Sequence, residues 1–495
     1  MSSRLSSADA AWLHMDRPTN LMVINSVLLF DQPVDWERVK DVTRRRLVDC
    51  YPKFRQRVVE SRLPLRAPTW EDDPDFALEH HMHHLALPAP GDAAALQELV
   101  GDLMTTPLDR NRPLWHQYMV DGYGDGAALI VRMHHCIADG IALARVMLSL
   151  TDSEPDAGIA PPDDGGAQKP SRVRIRGVPV PGTGSARRIA QLGGAMTRQV
   201  VQVAASPSHG TRLAGAIARD GATLVRLLLT PADAATAIKG NPAVSRRVAW
   251  TNPLSLRRVK QIAHAHDATV NDVLLASVSG ALRHYLQDRG SRVAEIQAII
   301  PFNLRRLDKP VPRELGNKFG LVLLPLPVGT SGSYRRLIEV HRRMQEIKDS
   351  RDGPVSYALL NAIGMTPEPV ERGIVDLFTA KGTATMTNVP GPKEPVYLAG
   401  TPVRTVLVWA PTSGHLGMSV SIFSYRGEVT VGLMVDAALI PDPEQIASRL
   451  EDELRALGRL EPIVPGGSRR RRRGSTPAGD RAPQIAGVGR SVEEP

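Results

Sequence analysis

Two cysteines in 495 residues, Cys50 and Cys136, are too few for a disulfide framework, which excludes the small cross-linked secreted scaffolds and suits a reducing compartment. Aromatic residues are also scarce, at 4% of the chain. No stretch reaches the roughly 18 uninterrupted apolar residues that a membrane-spanning helix needs. The opening MSSRLSSADAAWLHMDRPTN lacks the apolar core of a secretory signal. These absences predict a cytoplasmic chain without a spanning helix. Hydrophobic residues make up 42% of the chain and charged residues 23%, the balance of a globular protein. The chain is too long for a single core, so two domains or a duplicated fold are expected.

The net charge of +9 is unevenly placed. Between Lys169 and Arg247 thirteen Lys/Arg face only Asp220 and Asp233, and from Gly466 to Pro495 seven Arg face three acids. The remainder is mildly acidic. Nucleic-acid binders carry their charge on the folded face, so this distribution argues against a nucleic-acid partner. The tail, with arginines at 469–473 followed by Gly, Ser and Pro, has almost nothing apolar to bury and is expected to be disordered.

Pattern divides the chain into four parts: a domain over 1–150, a linker and basic helical segment over 151–245, a second domain over 246–465, and the tail over 466–495. In the first part, residues 21–30 (LMVINSVLLF) read as a buried strand and 35–50 as a helix capped by Asp35. Apolar runs over 115–120 and 127–133 flank DGYGDG. A Rossmann phosphate loop requires a helix directly after its glycines, whereas a β-rich run follows here, so a hairpin connection is expected. The second domain resumes with helices over 255–263, 270–286 and 333–348. Strands are expected over 296–302, 321–326, 383–387, 405–409, 417–424 and 429–435. Strand and helix in both parts predict an α/β class.

The chemistry concentrates in RMHHCIADG, residues 132–140, at a strand-to-helix corner. Alternation along a strand would put Met133 and His135 on one face and His134 on the other, leaving one histidine for a cleft. A histidine near its free pKa of about 6.5 accepts a proton from an alcohol at neutral pH, which makes His135 the candidate general base. Asp139 is placed to cap the following helix or pair with an arginine, and Gly140 to let the backbone turn tightly. Cys136, the rival nucleophile, falls on the opposite face and reads as a buried small residue. A second cluster, His80-His81-Met82-His83-His84, invites a metal reading, but no spacing completes a three-ligand set, so a polar strand edge and no metal are expected.

HHCIADG resembles the HHxxxDG motif of CoA-dependent acyltransferases and peptide-synthetase condensation domains. Five further segments are similar, in order, to the bacterial wax ester synthase/diacylglycerol acyltransferase family: PLW at 113–115, Asn271-Asp272 in TVNDVLLA, PFNLR at 301–305, GNKFG at 316–320 and NVPGP at 388–392. The opening LSSADAAWLHMD fits as well. This resemblance covers residues 4–460 and implies two chloramphenicol-acetyltransferase-like α/β domains with an active-site tunnel at their interface. It implies that His135 deprotonates the acceptor hydroxyl, that His134 and Asp139 keep the site in shape, and that Asn271 is contributed by the other half. Asp272 reads as a helix-start residue.

The resemblance further implies acyl-CoA as co-substrate with no other cofactor, and diacylglycerol or a long-chain alcohol as acceptor. A tunnel for acyl chains calls for apolar, often small lining, with candidates in Leu398, Ala399 and Gly400 and over 406–410. Arginines interleaved with apolar residues, at Arg212, Arg219 and Arg226, suit peripheral docking on the inner face of an anionic membrane or on lipid droplets; a basic linker packed across the domains is the alternative. Two other functions fit the same residues: a non-catalytic lipid-surface binding protein, and a condensation-type acyltransferase working on a carrier-bound substrate.

Overall fold

The computed structural model describes residues 3–60, 67–159, 223, 225–227, 229–304, 312–363, 366 and 368–459. Expectations for Arg212, Arg219 and the tail lie outside the described residues.

Two β-sheets carry the architecture, and the class is α/β. The first has five strands in the order Thr405–Trp409, Val23–Phe30, Gly126–His134, Trp115–Tyr123 and Met82–Ala86. Every residue of Val23–Phe30 and of Gly126–His134 is buried, which is why those stretches are mostly apolar on both faces rather than alternating. The second sheet runs Phe319–Leu326, Ile296–Asn303, Ala384–Pro390, Met418–Tyr425, Glu428–Asp436 and Arg246–Trp250, with Leu254–Ser255 also pairing on Glu428–Asp436.

One strand crosses the division expected at residue 246. Thr405–Trp409 belongs by sequence to the second half, yet it pairs antiparallel with Val23–Phe30, Leu407 opposite Val27, and completes the first sheet. An unpaired edge on Val23–Phe30 would leave a row of backbone groups unsatisfied, and a distant strand meets that need as well as a neighbouring one.

Local chemistry explains the element ends. Asp35 accepts the Arg38 N–H at 3.0 Å and starts the helix Trp36–Thr43, which passes into a π-helical turn at Arg44–Val48 instead of running unbroken to 50. Thr269 and Asp272 form a reciprocal capping box for Val270–Asp288, the long buried helix of the second half. DGYGDG is a hairpin: Trp115–Tyr123 returns directly as Gly126–His134, and Gly122 and Gly124 take left-handed φ of 77° and 58°. No helix of the described residues is long and apolar enough to cross a membrane.

Candidate active site

The motif strand ends at His134, and residues 135–139 form a corner before the helix Gly140–Ser149. Strand alternation therefore stops one residue too early to place His135 beside Met133. Two hydrogen bonds turn the chain: the Cys136 N–H donates to His134 Nδ1 at 3.1 Å, and the Ile137 N–H to the His134 carbonyl at 3.1 Å. As a result Met133 and His135 line different pockets.

His135 is tied at its N–H to the Met22 carbonyl, at 2.7 Å, and at its carbonyl to Asn317 Nδ2, at 2.8 Å. Its ring lies against Trp12, centroids 4.2 Å apart, with Phe319 tilted at 5.5 Å on another side. His135 borders a pocket walled by both halves, with Trp12 from the first and Ile299, Pro301 and Phe319 from the second. Burial pushes its pKa down to about 4, against the opposing pull of Asp139 and Asp9, so the ring is neutral at pH 7. The sequence expectation of an ordinary histidine pKa is thus revised. A neutral imidazole has a lone pair to offer; Nδ1 itself is buried and has no hydrogen-bond partner among the described residues.

His134 is held differently. Because its Nδ1 accepts from Cys136 and burial lowers its pKa to about 3, its single proton sits on Nε2, which faces Asp16 Oδ2 at 3.9 Å, beyond hydrogen-bond range. Its own N–H donates to the Leu114 carbonyl at 2.9 Å, within the PLW segment. Trp115 of that segment is fully buried and donates Nε1–H to the Phe54 carbonyl at 2.8 Å. PLW is thus a prop beneath the motif strand.

Asp139 caps the motif helix. Its Oδ1 accepts the Ala142 N–H at 2.9 Å and its Oδ2 accepts the Lys318 N–H at 3.0 Å, so the cap also holds a loop of the second half. Gly140 takes no left-handed φ, and a Cβ placed on it would meet nothing within 4 Å. The tight-turn expectation for Gly140 is therefore replaced: its missing side chain leaves room in an apolar pocket also lined by Val131, Met133, Leu143, Val406 and Val408. Val406 and Val408, expected in the tunnel lining, are on this pocket's wall. Ala410 borders the His135 pocket, while Leu398 and Ala399 sit in the core.

Asn271 is not among the residues lining the His135 pocket. Its Oδ1 accepts from Asn388 Nδ2 at 3.0 Å, which joins the ND and NVPGP segments to each other. Asp272 is buried, accepting the Thr269 N–H at 2.9 Å and facing His341 Nδ1 at 2.7 Å, the helix-start role expected of it. Cys136 is fully buried, and burial pushes its thiol far above the ordinary range, leaving no thiolate for nucleophilic attack.

Of the 80–84 cluster, His81 and His83 both lie against the His116 ring, while His80 and His84 have separate partners. His80 meets Arg112, His81 stacks on Trp115, His83 Nε2 bonds His116 Nδ1 at 2.9 Å, and His84 meets Asp121. Sequence reasoning assigned no role to Asp9, Trp12, Lys53 or Asn317, all of which surround the corner. A signal existed for Asp9: it is the one charge in the otherwise apolar helical stretch ADAAWL, where a carboxylate has to be buried.

Comparison with known proteins identifies the family and the fold. Residues 5–274 match the wax ester synthase/diacylglycerol acyltransferase catalytic domain, and 315–458 match the C-terminal domain of the same family. A Mycobacterium tuberculosis protein named "Probable diacyglycerol O-acyltransferase tgs1" is 30% identical over 484 residues, 96% of this chain and 99% of its own. The "O-acyltransferase WSD" of Acinetobacter baylyi is 27% identical over 391 residues, 78% of this chain and 82% of its own. Among solved structures, the wax ester synthase/diacylglycerol acyltransferase of Marinobacter aquaeolei superposes with a TM-score of 0.64 at 23% identity, covering 92% of this chain and 98% of that one. The first condensation domain of the CDA synthetase shares the fold at a TM-score of 0.55 and 17% identity, covering 92% and 95%. With both halves matched in order around the HHxxxDG corner, the chain is an acyltransferase that belongs to the wax ester synthase/diacylglycerol acyltransferase family.

Proposed function

We propose that this acyltransferase moves a long-chain acyl group from acyl-CoA to the hydroxyl of diacylglycerol, and also to long-chain alcohols, with His135 as general base. The observation that carries the reading is a neutral imidazole bordering an apolar pocket built from both halves. In the proposed step, His135 takes the hydroxyl proton as the acceptor oxygen attacks the thioester carbonyl. The tetrahedral adduct then collapses, the C–S bond breaks, and the imidazolium returns its proton to the departing CoA sulfur. The thioester is already activated, so proximity and proton transfer supply the catalysis without a covalent enzyme intermediate. His134 and Asp139 keep the corner in shape, and Gly140 keeps the adjoining apolar pocket open for a chain, each buried methylene contributing about 0.8 kcal/mol. We assign Asn271 a supporting role through Asn388.

Peripheral docking on an anionic membrane or droplet surface remains part of this proposal. Arg226 is engaged by Asp352, and Leu227 is buried, so this part of the basic segment packs against the body. Val225 and Leu229 beside them are exposed, at 53% and 77%, and could meet a lipid surface.

The test is CoA release from palmitoyl-CoA with diacylglycerol, with hexadecanol and with no acceptor. Acceptor-dependent release is expected with both, diacylglycerol leading. Equal release in all three arms would overturn the transferase assignment to these acceptors, and activity confined to a carrier-bound donor would favour condensation chemistry.

A further inference from the structure

Asp9 stands in the helix Ser7–His14 among Ala8, Ala10, Ala11, Trp12 and Leu13, all buried, and is itself only 3% exposed. A carboxylate so placed is tolerated only when both oxygens are satisfied. Oδ1 accepts from the Asn317 backbone N–H at 3.0 Å and from its Nδ2 at 2.8 Å. Oδ2 faces Lys53 Nζ at 3.4 Å.

Both donors have a second partner at the catalytic corner. Asn317 Nδ2 also reaches the His135 carbonyl, at 2.8 Å, and Lys53 Nζ also reaches the Ile137 carbonyl, at 3.0 Å. The loop bearing Asn317 is shaped for this contact. Leu315 and Gly316 take left-handed φ of 53° and 110°, and three successive N–H groups then meet the first half: Gly316 on the Ile137 carbonyl, Asn317 on Asp9, and Lys318 on Asp139. A left-handed Leu315 is strained, and such strain persists only where surrounding contacts impose it.

We propose that Asp9 is a positioning residue for His135, acting through Asn317 and Lys53 to hold the corner carbonyls against the loop of the second half. The proposal rests on the reading of His135 as the base. A buried pair serving stability alone is replaceable by apolar groups of similar volume. Here the shared donors fix the backbone on which the reacting ring is mounted, where a displacement of 1 Å costs about a hundredfold in rate.

The experiment measures kcat and KM for palmitoyl-CoA with hexadecanol in the full chain for Asn317→Ala, Asp9→Ala, Asp9→Asn and His135→Ala, with thermal melts alongside. Asn317→Ala is expected to lower kcat about 10- to 100-fold while KM stays within about twofold. Asp9→Asn, which keeps an acceptor for Asn317, is expected to recover at least about tenfold of the activity lost in Asp9→Ala. If Asp9→Ala does not fold, the smaller Asn317→Ala change carries the decision. A folded Asn317→Ala with wild-type kcat, beside an inactive His135→Ala, overturns the positioning role and leaves the base assignment standing. A fully active His135→Ala overturns both.

Discussion

Trp12 lies nearly parallel to His135, ring centroids 4.2 Å apart and planes 22° from coplanar. The contact joins the first helix of the chain to the corner of the motif and shields one face of the imidazole from water. Trp12→Leu keeps apolar bulk but loses the stack, which is worth about 0.5–1.5 kcal/mol beyond its area. We expect activity to fall about tenfold, with the Trp12→Phe enzyme close to wild type, since a loss of about 1.4 kcal/mol at the transition state is tenfold in rate. Assays of both variants with palmitoyl-CoA and hexadecanol decide this, and equal activity in all three proteins would show that the stack is dispensable.

For His135→Ala, the loss of a general base is expected to cost about a hundred- to ten-thousandfold in rate. The fold should survive, because Nδ1 has no hydrogen-bond partner among the described residues and the backbone contacts to Met22 and Asn317 do not involve the side chain. Activity above a few per cent of wild type, in protein with an unchanged circular dichroism spectrum, would remove His135 from the mechanism.

Asp139→Ala deletes acceptors for two backbone N–H groups, those of Ala142 and Lys318. Losing a cap costs about 0.5–2 kcal/mol, and the freed Lys318 N–H adds to that. Lower melting temperature and lower activity are expected together. Lost activity at an unchanged melting temperature would mean instead that Asp139 touches substrate.

Stability should decline as pH falls from 6.5. Burial holds His116 and His134 down to about 3 and His135 to about 4 in the folded chain, whereas the unfolded chain protonates each near 6.5. Below 6.5 the unfolded state therefore binds protons that the fold refuses, and stability is lost until the folded values are reached. Asp16 and Asp233, raised by burial, oppose this trend because their folded carboxyls protonate first. Each histidine contributes at most about 1.4 kcal/mol per pH unit within its window. Urea midpoints at pH 7, 6 and 5 test the sign, and His116→Gln should flatten the slope. A pH-independent midpoint would contradict the burial argument.

Gly140→Leu would project into the apolar pocket that its missing side chain leaves open. We expect the ratio of octanoyl-CoA to palmitoyl-CoA use to rise about 10- to 100-fold, since excluding a few methylenes is worth about 1–3 kcal/mol. An unchanged ratio would detach that pocket from chain recognition.

The sequence alone carried the α/β class, the buried strands, the hairpin at DGYGDG and the family resemblance, because each rests on local periodicity, turn residues or contiguous motifs. Asp35 and Asp139 as caps were legible for the same reason: a cap bonds three residues away along its own chain. Only tertiary structure decided that Thr405–Trp409 joins the first sheet, that His135 leaves the strand and that Gly140 opens a pocket. It alone brought Asn271 to Asn388 and Asn317 to Asp9, a contact across 308 positions. Such pairings follow from backbone groups and charges that must be satisfied once buried, and no local pattern says which distant residue satisfies them.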